Sequence, residues 1–96
     1  MAGMLTSDVC AVHIIVYGRV QGVGFRAWTM FQARRFTITG WVQNSPDYSV
    51  EIMAEGRPSN LGLFIKSIKK GNSYSYIESI SINKVKPRGF SRFVIM

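Results

Sequence analysis

The sequence is poor in the residues that several chemistries require. Its 96 positions include one cysteine, Cys10, and one histidine, His13. A single cysteine excludes an intramolecular disulfide and any zinc site built from several thiolates. It reads as an inert thiol in a reducing compartment, so the expected location is cytoplasmic. With one histidine, a Cys–His or Ser–His–Asp nucleophile system would have to be built around His13. Val12, Ile14 and Val16 alternate with His13, Ile15 and Tyr17, so His13 reads as a strand position and not as a catalytic base. No apolar run approaches the roughly 18 residues that a membrane-spanning helix needs. The start, MAGMLTSDVC, lacks the basic segment and apolar core of a signal peptide. No membrane partner is expected.

Acid is scarce as well. Five Asp and Glu stand against 12 Lys and Arg, a formal charge of +7. Residues 1–56 cancel, with Arg19, Arg26, Arg34 and Arg35 against Asp8, Asp47, Glu51 and Glu55. The excess lies in residues 57–96, where eight basic groups face Glu78 alone. Apolar residues make up 47% of the chain, and mean hydropathy is +0.10, clear of the disordered range. With no repeat and no linker, one domain is expected over residues 1–96, residues 1–10 forming a loosely ordered N-terminal tail.

Ala11 to Tyr17 is β-branched and alternating, a strand. Phe25 to Phe36 holds no Gly or Pro and has the apolar content of a helix in Trp28, Met30, Phe31 and Ala33. Ile38 to Asn44 and Ser49 to Glu55 read as a hairpin whose turn contains Pro46-Asp47. Leu61, Phe64, Ile65 and Ile68 follow helical spacing, with Ser59 or Asn60 available as N-cap and Gly71 to close the helix. Tyr76 to Val85 and Arg92 to Ile95 are the last strands. This order predicts an α+β fold, a ferredoxin-like α/β sandwich of β-α-β-β-α-β plus a short terminal strand. Its antiparallel sheet would carry two helices on one face.

Gly18 to Arg26 is the most informative stretch. Three glycines between a strand and a helix allow positive φ and turn successive N–H groups inward, forming an anion-binding nest beside a helix N-terminus. Arg26 falls in the first helical turn, where a cation opposes the helix dipole. A tight β–α turn followed by a surface arginine would also produce this pattern. No Gly-Lys-Ser/Thr follows, and the dinucleotide G-x-G-x-x-G fingerprint fails as well.

The wording of the loop favours the anion site. Tyr17-Gly-Arg-Val-Gln-Gly-Val-Gly-Phe-Arg26 closely resembles the signature of the acylphosphatase family. Gly40-Trp-Val-Gln-Asn44, Ser49-Val-Glu51 and Ala54-Glu-Gly56 resemble its second motif at the right spacing. The likeness spans roughly residues 11–96. It implies metal- and cofactor-free hydrolysis of small acyl phosphates to a carboxylate and inorganic phosphate, the phosphate also competing for the site. It further implies that Gly18, Arg19, Val20, Gln21, Gly22, Val23, Gly24 and Phe25 cradle the phosphate. Arg26 would bind it, and Asn44 would orient the attacking water.

Three positions depart from the family pattern. Thr37 follows the first helix where glycine is usual, and a left-handed turn there would cost about 1–2 kcal/mol. Tyr48 replaces glycine in the hairpin turn, which predicts a changed turn type and a slightly displaced Asn44. Gln43 stands where a basic residue is frequent. Two other readings compete. A nucleic-acid-binding module is suggested by the basic second half, by Tyr74 and Tyr76, and by Arg88-Gly-Phe-Ser-Arg-Phe-Val94. That string fails the RNA-recognition pattern at Ser91-Arg92 and lies in the last strand. A regulatory anion-binding domain without turnover would keep the loop and lose catalysis. In the family's wider relatives such a domain begins much longer carbamoyl-transfer proteins. A chain with its own ending favours a free-standing, monomeric enzyme.

Overall fold

β1, Cys10–Arg19, buries Val12, Ile14 and Val16 on one face, as its alternation predicts. A computed structural model of the chain describes residues 8–96. The expected tail thus lies, over residues 1–7, outside the described residues, and β1 begins at Cys10, one residue before the predicted strand. The other elements are α1 (Phe25–Arg35), β2 (Thr39–Asn44), β3 (Val50–Gly56), α2 (Pro58–Lys70), β4 (Tyr76–Val85) and β5 (Phe93–Ile95). The sheet order is β4-β1-β3-β2-β5. Its first four strands pair antiparallel, as expected, whereas β5 joins the edge parallel to β2. Phe25, Ala33, Leu61, Phe64 and Ile68 of the helices share one core with Val12, Ile14, Val16, Val42 and Ile52.

α1 meets that core along a narrow stripe of Phe25, Thr29 and Ala33, spaced i, i+4, i+8. Trp28 and Met30 pack at its margin, whereas Phe31 is 67% exposed. α2 is capped by Arg57, with Pro58 in the first turn. Neither Ser59 nor Asn60 is the cap, because proline's missing N–H and fixed φ suit the first helical position.

Among the described residues the two non-glycine positions at positive φ are two of the three departures from the family pattern, Thr37 at 57° and Tyr48 at 69°. At the end of α1 the Thr37 N–H donates to Arg34 O and the Ile38 N–H to Ala33 O. This is a Schellman cap with threonine in its left-handed position, its buried pair Ala33 and Ile38 closing the apolar contact. Thr37→Gly should therefore raise stability by about 1–2 kcal/mol, read as a higher midpoint in urea with an unchanged slope. An unchanged midpoint would show that Thr37 is held there without strain.

Tyr48 takes the left-handed backbone itself. Its N–H donates to Ser45 O, and Ser45 N–H donates to Ser49 O. Pro46 thus starts a type I turn, and Tyr48 itself supplies the left-handed residue of the following bulge. The Asp47 carboxylate accepts the hydroxyl and N–H of Ser49, and these bonds hold it below the usual aspartate range.

The sheet face opposite the helices is partly covered. Glu55, 2% exposed, accepts backbone N–H groups of Arg88, Gly89 and Phe90. The segment weighed as an RNA-binding string is thus bound back onto β3, and of it only Phe93 and Val94 lie in a strand. Further along β3, Glu51 bonds His13 Nε2 and Gln43 Nε2. The imidazole, with the Gln43 amide second, holds the Glu51 carboxyl below its ordinary 4.5. A lowered folded pKa adds stability above the unfolded value that is lost as pH falls through the folded one. Wild type should therefore lose more stability between about pH 5 and pH 3 than Glu51→Gln does. Equal slopes in urea titrations across that range would contradict this.

Candidate active site

The loop leaving β1 is shaped at both ends by glycine. At Gly18 the β1–β4 register shifts, and an added methyl would lie 2.1 Å from the Tyr76 carbonyl oxygen. Only glycine admits that approach. Gly22 and Gly24 take φ of 75° and 74° with open space beside them, so they bend the backbone into a nest facing solvent. Gly24 caps α1 without any side-chain bond, and no acidic residue occupies the first turn. The positive end of the helix is left for a ligand.

Against this loop lies a cleft of about 190 Å³, lined by Val20, Gly22, Gly24, Phe25, Arg26, Ala27, Asn44 and Ile95. Arg26 and Asn44, expected together from sequence, do meet there. Arg26 stands half-buried at the start of α1, and its Nη1 donates to an oxygen of Met96, the last residue of the sequence, at 3.2 Å. Four guanidinium N–H groups remain, and among the described residues no Asp or Glu side chain lines the cleft. Asn44 is exposed at the end of β2, opposite Val50 across the hairpin.

Four of the eight predicted cradle residues line the cleft: Val20, Gly22, Gly24 and Phe25. Gly18 and Arg19 close β1 and lie outside it, Gly18 being spent on the approach to β4. Gln21 turns its side chain away, donating from Nε2 to Ser45 O at 2.8 Å and Ser49 O at 2.9 Å. It ties the loop to the hairpin that carries Asn44. Val23 packs against the core, and its carbonyl accepts from Asn72 Nδ2 at 2.9 Å. Ile95 and Ala27 were not foreseen. Ile95 arrives through the parallel pairing of β5 with β2, which no local sequence signal announces.

The cleft thus gathers the loop backbone at Gly22, Gly24 and Phe25, the Arg26 guanidinium and the neutral amide of Asn44 around one space. Comparison with known proteins agrees with that chemistry. The acylphosphatase family model matches residues 12–95. The acylphosphatase of Treponema denticola is 46% identical over 85 residues, covering 88% of this chain and 90% of that protein. The crystal structure of acylphosphatase from Bacillus subtilis superposes with a TM-score of 0.88 at 40% identity, covering 91% of this chain and 98% of that one. Full-length HypF, in its phosphate- and nucleotide-bound crystal form, matches with a TM-score of 0.87 at 31% identity. There the match covers 92% of this chain but 12% of the larger one.

Proposed function

The chain belongs to the acylphosphatase family, and we propose that it hydrolyses the carboxyl–phosphate bond of a small acyl phosphate at the cleft of Arg26 and Asn44. The observation that carries this reading is the meeting of an arginine with spare donors, two left-handed glycines and a neutral amide in one cleft that no Asp or Glu side chain lines among the described residues.

Water attacks phosphorus opposite the acyl oxygen, the P–O bond to the acyl group breaks, and its electron pair leaves with the carboxylate. Both hydrogens of the water end on the phosphate. An acyl phosphate dianion thus gives a carboxylate and dihydrogen phosphate. The leaving carboxylate is weakly basic, so no strong general base or acid is needed. Charge stabilisation and positioning carry most of the acceleration. The Arg26 guanidinium supplies directed donors to the phosphoryl oxygens. The N–H groups of Gly22, Gly24 and Phe25 supply others. Asn44 accepts from the attacking water without repelling a dianion.

The reaction is metal-independent in this proposal, because the neutralising charge comes from Arg26 and the backbone. Wild type should hydrolyse benzoyl phosphate in the presence of excess chelator, with inorganic phosphate competing. No turnover above buffer would remove the enzyme reading. Turnover that required an added divalent cation would remove metal independence alone.

A further inference from the structure

We propose that Asn72, outside the cleft on the turn after α2, is a positioning residue for the phosphate loop. It would aim the Gly24 N–H into the cleft by holding the preceding carbonyl away from it. The proposal rests on the phosphate-binding reading of that cleft.

A peptide unit is planar and trans, so its C=O and N–H point in opposite directions. The Val23–Gly24 peptide has its oxygen bound by Asn72 Nδ2 at 2.9 Å, across 49 residues of chain. Its N–H therefore points from Gly24 toward the opposite side, and Gly24 lines the cleft. Nothing local would fix this orientation, since glycine admits both signs of φ and lets the peptide flip. The next peptide is fixed from within the helix, because the Trp28 N–H donates to Gly24 O at 3.0 Å. Its N–H, on Phe25, accordingly faces out of the helix start. Asn72 thus completes a pair of adjacent aimed donors, of which the helix secures only the second.

Asn72 is itself held rigidly. Gly71 caps α2, and the Asn72 carbonyl accepts both the N–H and the hydroxyl of Ser75. Its side chain also carries a cost. Oδ1 is buried without a hydrogen-bond partner among the described residues, where a donor alone would have satisfied Val23. A buried orphan acceptor is uncommon and calls for a compensating role. Orienting a ligand-binding peptide is such a role.

The test is a titration of the whole chain with inorganic phosphate, followed at the Gly24 amide by NMR, in parallel with benzoyl phosphate kinetics. Asn72→Ala should weaken phosphate binding about fivefold, the worth of one neutral hydrogen bond, and lower kcat/KM by a similar factor. Asn72→Asp keeps the shape but sets oxygen against oxygen, so its loss should be larger. Ser67→Ala, which removes the bond from Ser67 to Gln32 between the helices, should destabilise the fold without moving the phosphate affinity. If folded Asn72→Ala binds phosphate as wild type does, or Ser67→Ala weakens binding equally, the proposal is overturned. If the wild type itself fails to bind phosphate, this proposal and the acylphosphatase mechanism fall together. Binding without hydrolysis removes the mechanism alone.

Discussion

Arg26→Ala is expected to lower kcat/KM for benzoyl phosphate about a thousandfold while leaving the chain folded. One preorganised donor removed from a charge-stabilising site costs on the order of 10²–10³ in rate, and Arg26 supplies several donors together with the only charged side chain that lines the cleft among the described residues. Its structural role is small by comparison. Its one side-chain hydrogen bond among the described residues is the exposed 3.2 Å contact with an oxygen of Met96, the last residue of the sequence. Thermal unfolding should therefore shift little. Arg26→Lys keeps the charge but loses the planar fork, so about a hundredfold loss is expected despite the conserved sign. Inorganic phosphate should compete poorly with substrate in both variants. A lysine variant with near wild-type kcat/KM would mean that charge alone, without directed donors, is what the site uses.

The +7 charge contributes less than its size suggests. Arg26 lies in the half of the chain whose charges cancel, and Arg35, Lys66 and Lys70 gather at a different depression, between the two helices. Such a distribution raises the potential around the molecule for any anion, but salt screens it over about 10 Å. Salt should therefore lower the rate of substrate capture modestly and leave kcat alone, whereas Arg26 variants should lose activity at every ionic strength.

What could be read from the chain followed the range of the interaction. Alternation in β1 and the glycines before Arg26 are local features, and the structure carries them as expected. Thr37 and Tyr48 were legible as strain because a Schellman cap and a bulged turn each demand left-handed backbone whatever residue stands there. In α1 the apolar residues announce a helix but not which of them it buries. Thr29 is fully buried on the stripe facing the sheet, while Phe31, two positions on, faces solvent. The remaining site features are set by distant partners. Gln21 finds its acceptors 24 and 28 residues away, and Ile95 reaches the cleft only because β5 pairs with β2. A sequence motif names which residues gather but carries no record of which way an amide side chain turns.

The direction of the Gln21 amide matters most for Asn44. Asn44→Ala is expected to lower kcat by about 10²–10³, with KM and phosphate competition nearly unchanged, because it removes the group that positions water and spares those that hold the phosphoryl oxygens. Asn44→Asp should differ in kind. The carboxylate is the same size but repels the dianion, so KM should rise as kcat falls. Asn44 sits at the mouth of the hairpin, and its place depends on the Ser45–Ser49 pairing that Gln21 clasps from the loop side. Gln21→Ala leaves every proposed contact to substrate in place but frees loop and hairpin from each other. A misplacement of about 1 Å can cost as much as a hundredfold, and partial freedom should cost about tenfold, spread over kcat and KM. The three variants together separate the roles. If Asn44→Ala keeps the wild-type kcat, the water is not oriented by Asn44. If Gln21→Ala is as severe as Asn44→Ala and acts on kcat alone, Gln21 itself belongs among the reacting groups.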